Sequence, residues 1–107
     1  ATMRQRAVRL VMATHPESPY ATPEVKRYVR YGASPRAGQA CIAGAKIEAA
    51  LAGRLHVASE DLIAVAHPIL RHRMMLNFEA QADGLSADRI LDGVIASCRS
   101  AWAKEAE

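Results

Sequence analysis

Four times in this chain a Ser or Thr stands just ahead of apolar residues spaced three and four apart, at Thr22, Ser34, Ser59 and Ser86. Any fold must accommodate that repeated unit. Such a residue starts a helix because its side-chain oxygen accepts a backbone N–H that the first turn leaves free. The stripe behind it then has one face to bury. After Ser34 the stripe reads Ala37, Ala40, Cys41, Gly44, Ile47 and Leu51 in what should be the longest helix, closed by Gly53. After Ser59 it reads Leu62, Val65, Ala66, Ile69 and Leu70, and after Ser86 it reads Ile90, Leu91, Val94, Ile95, Cys98 and Trp102. Thr22-Pro23-Glu24 opens a shorter helix with Val25, Tyr28 and Val29 facing inward, and residues 3 to about 13 place Met3, Ala7, Leu10 and Val11 on one face. Half of the 107 residues are hydrophobic but only 5% are aromatic, and alanine dominates, which lets helices approach closely. The fold expected is all-α, a small helical bundle forming a single domain over residues 1–107.

The breaks between these units are equally specific. His15-Pro16-Glu17-Ser18-Pro19 ends the first helix and starts a loop through Ala21, since Pro16 biases His15 away from helical geometry. Gly44, costly inside a helix, predicts close packing against it. Pro68 should kink or end its helix near His67, and the cations of Arg71-His72-Arg73 suit a helix C-terminus. Met74, Leu76 and Phe78 alternate with Met75 and Asn77, which admits a short extended segment near residues 73–78, with Leu55-His56-Val57 as its candidate partner. Gly84 marks a loop, and Lys104-Glu105-Ala106-Glu107 should fray. The chain enters its first helical pattern directly after Ala1-Thr2 with no capping segment, and reads as a piece of a longer polypeptide.

Several chemistries are not encoded. No glycine opens a phosphate-cradling loop ending in Gly-Lys-Ser/Thr, so this piece does not bind and hydrolyse a nucleotide alone. His15, His56, His67 and His72 have no metal-ligand spacing with one another or with the cysteines and read as structural, so no metal is assigned. No nucleophile–base set can be assembled. Neither a leader nor a membrane span is read, and Cys41 and Cys98 fall in apolar stripes, as reduced core cysteines of a cytoplasmic protein do. The net charge of +3 permits a polyanionic partner without demanding one.

One helix start breaks a local rule. Two positions after the four caps stand Glu24, Arg36, Asp61 and Asp88. An acidic residue there is stabilising, by about 0.3–1 kcal/mol, because it faces the positive end of the helix dipole. Arg36 does the opposite, with no carboxylate in its turn and Gly38 just behind it. An anion arriving from elsewhere would resolve the conflict, since the free N–H groups, the dipole and the guanidinium would all point at it. The plain alternative is that Pro35 starts the helix and Arg36 extends into water. Lys26, Arg27 and Arg30 form a basic side nearby, read either as a solvated face or as further lining of the same anion site.

The run Tyr28-Val29-Arg30-Tyr31-Gly32-Ala33-Ser34-Pro35-Arg36-Ala37 resembles the C-terminal lid of the MoxR family of AAA+ ATPases. The likeness continues through Gly53-Arg54, Val57-x-x-Glu60-Asp61, Leu70-Arg71-His72-Arg73 and Phe78-Glu79-Ala80-x-Ala82-x-Gly84. The resemblance implies a helical lid that follows a P-loop ATPase core in the same polypeptide. It implies that Arg36 is the sensor-2 residue, the one catalytic position, reaching the γ-phosphate, with Ser34 and Pro35 beside it at the cofactor. ATP and Mg²⁺ would be bound by the full-length parent, and the fragment alone would be inactive. Implied partners are the core of the same chain, neighbouring subunits of a hexamer, and von Willebrand factor A-type proteins in chaperone-like assembly work. Arg71-His72-Arg73 or the Met74-Met75 surface would contribute to an interface, with core packing the equal alternative for the methionines. The competing readings are a small basic helical nucleic-acid-binding module, with Arg27, Arg30 and Arg36 on phosphates, and a helical protein-interaction module.

Overall fold

The computed structural model describes residues 2–105. In chain order the elements are α1 (Met3–Met12), α2 (Pro23–Tyr28), β1 (Val29–Tyr31), α3 (Pro35–Leu51), α4 (Ser59–Leu70), β2 (Met75–Leu76), α5 (Phe78–Ala82) and α6 (Ala87–Glu105). A helical bundle with one small two-stranded ribbon is therefore the fold, as the stripes predict. All six apolar residues of the α6 stripe are buried, and α1 buries Ala7, Leu10 and Val11. α6 remains helical through Lys104 and Glu105, while Ala106 and Glu107 of the tail expected to fray lie outside the described residues. At 19 residues α6, not the 17-residue α3, is the longest helix.

α3 and α4 form a hairpin whose close approach depends on Gly44. A Cβ there would come within 3.2 Å of both Val65 and Ile69 on α4, so the glycine is where the facing side chains fit. The stripe assigned to α3 needs correction, however. Ala37 and Cys41 are buried, but with Gly38, Ala45 and Ala49, whereas Ile47 and Leu51 are 61% and 80% exposed. In a helix this rich in alanine every face carries apolar residues. The buried face is the one whose small side chains let α1 and α4 come close, not the one with the largest.

Two ion pairs and a histidine–carboxylate hydrogen bond set the register of α4 against α6. Glu60 meets Arg99 at 2.9 Å, His67 Nε2 lies 2.8 Å from Asp92 and Arg71 meets Asp88 at 3.0 Å, an antiparallel ladder. The ribbon also corrects an expectation. Met75–Leu76 is extended as the alternation allowed, but it pairs with β1 and not with Leu55-His56-Val57, where Leu55 is almost fully exposed. Val29 lies opposite Leu76 and Tyr31 opposite Met75, so Arg30 is an extra residue and both Arg30 and Tyr31 face outward. Pro68 does not end α4, which continues to Leu70. Near a C-terminus the proline costs only one intrahelical bond, and Leu70, fully buried, holds the last turn on the core.

Helix ends were read well where the cap is one residue and poorly where it is shared. Thr22 and Ser86 accept the Val25 and Arg89 N–H groups as predicted. Ser59 is not a cap. Ala58 holds that position, Asp61 Oδ2 accepts its N–H at 2.7 Å, and Ser59 Oγ accepts from the Arg6 guanidinium instead. α1 does have a cap, Thr2, in a reciprocal box with Gln5, and Asn77 caps α5. Gly53 closes α3 with φ +77°, as the Arg54 N–H bonds Ala49 and the Gly53 N–H bonds Ala50.

Arg54 then turns back on the next helix and grips Asp61 with both terminal nitrogens, at 2.7 and 2.5 Å. The guanidinium, with the Ala58 N–H second, holds the Asp61 carboxyl below its ordinary value. A depressed folded pKa contributes stability above the unfolded value of about 3.9 and loses it as pH falls through the lower, folded one. Thermal unfolding midpoints should therefore drop as pH is lowered below about 4. Asp61→Asn should begin lower at neutral pH and show a shallower acid limb; identical limbs would mean that the pair contributes nothing.

Candidate functional site

The start of α3 is held from behind by the end of α1. Thr14, fully buried, donates from Oγ1 to the Val11 carbonyl at 2.6 Å and accepts the Ala33 N–H at 3.0 Å. His15 Nε2 lies 2.7 Å from the Ala33 carbonyl, which requires that nitrogen to carry the proton, and Nδ1 faces Glu17 at 3.3 Å. Gly32 lies flat against both residues. A Cβ there would fall 2.7 Å from the His15 ring and 2.8 Å from the Thr14 backbone. Both polar groups of Ala33 are thus tied to α1, and the chain leaves this clamp directly into Ser34, Pro35 and Arg36.

These three residues present unused polar groups to solvent. Ser34 is the N-cap of α3, yet its hydroxyl makes no capping bond, unlike Thr2, Thr22, Asn77 and Ser86 at their helices. Pro35 has no N–H to satisfy. The first turn contains no acidic residue, and Arg36 is exposed with no acceptor for its guanidinium among the described residues. The local-rule conflict read in the sequence is therefore real in three dimensions. A cation stands at the positive end of a 17-residue helix with nothing compensating it nearby.

The neighbouring cations divide. Arg27 is taken by Glu79 on α5, at 3.0 and 2.9 Å from Nε and a terminal nitrogen to one oxygen, while Arg30 lies over the Tyr31 ring and Lys26 is exposed. Arg27 thus belongs to a seam that joins α2 to α5. There the Asn77 amide donates to the Arg27 carbonyl at 2.6 Å and Tyr28 donates to Asp83 at 2.8 Å. It lines no site with Arg36, and a nucleic-acid module would lack one of its three phosphate contacts. Arg73 donates to the Ile69 carbonyl at the end of α4, Met74 packs on the core, and Met75 is half exposed.

Two histidines read as structural are so: His15 and His67 have partners, while His56 and His72 are exposed. Burial pushes the Cys41 thiol up to about 11 and raises Cys98 as well, so both stay protonated and unreactive at neutral pH. No helix among the described residues is long and apolar enough to cross a membrane. The positioning role of Thr14 and His15 was missed in the sequence, where they appear only as the residues before a proline. Their separation of 18 and 19 residues from Ala33 carries no local signal.

Comparison with known proteins gives the same picture. The AAA lid domain family model matches residues 22–94. Chaperone MoxR1 of Mycobacterium tuberculosis (strain ATCC 25618 / H37Rv) is 39% identical over 88 residues, covering 82% of this chain and 23% of the relative. A crystal structure of a candidate ATPase from Cytophaga hutchinsonii ATCC 33406 superposes with a TM-score of 0.83 at 35% identity, over 89% of this chain and 29% of that one. The chain thus spans about a quarter of the length of the proteins it matches. Matched over two thirds of its length, from α2 into the first half of α6 and so across the α3 start, this chain belongs to the AAA lid domain family, in its MoxR-like form.

Proposed function

We propose that this domain is the nucleotide-sensing lid of a MoxR-type AAA+ ATPase, joined to a P-loop core in one longer polypeptide, and that Arg36 is its sensor-2 residue. The observation that carries the reading is the uncompensated start of α3, where a free guanidinium, a hydroxyl without a capping bond and the dipole of a long helix share one exposed corner. That corner fits the terminal phosphate of ATP. It offers no carboxylate to a metal, so Mg²⁺ would be held by the core. Bound ATP supplies the phosphoryl group and its charge. The chain's part is to place Arg36 against that charge, with Ser34 and Pro35 alongside, and to hold that placement through the Thr14 and His15 clamp. Because the clamp and the hairpin form one packed unit, a change in what Arg36 touches would move the lid as a body.

In this reading the lid couples ATP turnover to movement within a hexameric, chaperone-like ring, with von Willebrand factor A-type proteins among its partners. It works in the cytoplasm, where the buried thiols of Cys41 and Cys98 stay reduced. The fragment alone is inactive. A sensor of the γ-phosphate must distinguish ATP from ADP. With the core attached, Arg36→Ala should weaken ATP binding by roughly tenfold more than ADP binding, the size expected for one charge-assisted contact. Titration of fluorescent analogues of both nucleotides measures this, and equal weakening would place Arg36 away from the terminal phosphate.

A further inference from the structure

The outer face of α3 is left open by the rest of the described residues. With 3.6 residues per turn, Arg36, Ala40, Ala43, Ile47, Ala50 and Leu51 fall within a sector of roughly 100°, opposite the buried Gly38, Cys41, Ala45 and Ala49. Ala40 is half-buried and the other five are exposed. Arg36 is the one charged residue of that sector and stands at its N-terminal end. Behind it the apolar line runs for roughly 22 Å to Leu51, and the almost fully exposed Leu55 follows just past the end of the helix.

A single exposed leucine is ordinary on a protein surface, but a helix that is apolar on both faces is normally enclosed on both. α1 and α4 enclose only one side of α3. Where α3 meets α1, a groove of ≈ 580 Å³ continues the open apolar surface through Val8, Ile42 and Ala43. The charged residues of that groove are Arg4 and Lys46, with no carboxylate among the described residues that line it. On the opposite flank stands the exposed Glu48. Three cations, Arg4, Arg36 and Lys46, thus border the apolar area against one carboxylate. Such an excess fits a cover with anionic groups at its edge better than a second copy of the same face, which would bring like charges together. One of those groups must lie at the Arg36 end. Only 23% and 29% of the matched relatives is aligned, so most of their length is available to form the cover.

We propose that the outer face of α3 is the surface on which the ATPase core docks when it presents its ATP phosphate to Arg36, with Ile47 and Leu51 as the apolar anchors. Ala40, Ala43 and Ala50 let the core approach closely between them. That the cover is the core rests on the sensor reading proposed above, whereas the open face itself does not. Docking and phosphate contact form one interface, in which Arg36 meets the nucleotide and the residues behind it hold the lid in place. Trypsin, cutting after Lys46 and Arg54, releases residues 47–54 as one peptide, in which Ile47 and Leu51 are the side chains most readily oxidised by hydroxyl radicals. In the full ATPase with a non-hydrolysable ATP analogue, oxidation of this peptide should be slower than in the isolated 107-residue chain at matched radical dose. The expected slowing is roughly fivefold or more, as side chains 61% and 80% exposed become enclosed. The same slowing in Arg36→Ala would support the docking face even where the phosphate contact fails. Equal oxidation in both proteins, with Arg36→Ala still lowering turnover, would overturn the docking face and leave the sensor reading standing. Slowing that develops in the isolated chain as its concentration rises would also overturn it, by placing a second lid domain on the face.

Discussion

Gly32→Ala is expected to cost at least about 1–3 kcal/mol of folding stability, the usual penalty for forcing one methyl into a packed site. The added carbon would sit 2.7 Å from the His15 ring and 2.8 Å from the Thr14 carbonyl carbon. The ring can swing aside only by giving up its bond to the Ala33 carbonyl, and the Thr14 backbone moves only with the end of α1. The same change at Gly38, six residues on, meets nothing closer than a Val11 methyl at 3.5 Å. Gly38→Ala should therefore be neutral or stabilising by up to about 1 kcal/mol, the helix-propensity difference. Urea denaturation of both variants checks the contrast. Equal stabilities would mean that the clamp between α1 and the α3 start is soft.

The second large effect is on turnover. Arg36 contributes nothing to the folded domain that a neutral or acidic residue would not, because it touches no acceptor there and opposes the dipole of its own helix. Arg36→Glu should leave the isolated domain as stable as before or slightly more so. In the assembled ATPase Arg36→Ala should lower turnover by roughly 10²-fold, the scale set by removal of one preorganised donor from a developing charge. A residue that is dispensable for folding and indispensable for turnover is the signature of a site. Loss of several kcal/mol in the isolated domain would instead make Arg36 structural.

Much of this was legible in the sequence because helix caps and apolar stripes are local. The α6 stripe was read residue for residue, and the anomaly at Arg36 was visible as a broken local rule. What was missed depends on distance or on degeneracy. The α3 face was misassigned because alanine gives no contrast between its sides, so that Ile47 and Leu51 were taken as buried. The cap at α4 was misread because the acceptor is Asp61, three residues inside the helix, and Ser59 serves Arg6 from another helix. The partner of β2 was misread because alternation shows that a strand exists but not which edge it finds. Thr14 and His15 were invisible as positioning residues, since only folding brings them to Gly32 and Ala33.

The most direct test of the account is steady-state ATP hydrolysis by the full ATPase carrying Arg36→Ala, with ring assembly followed in parallel by sedimentation. A fall of roughly 10²-fold with the assembly intact is the predicted result. Unchanged turnover in an intact assembly would contradict it, and would leave the exposed cation at the start of α3 without a phosphate to meet.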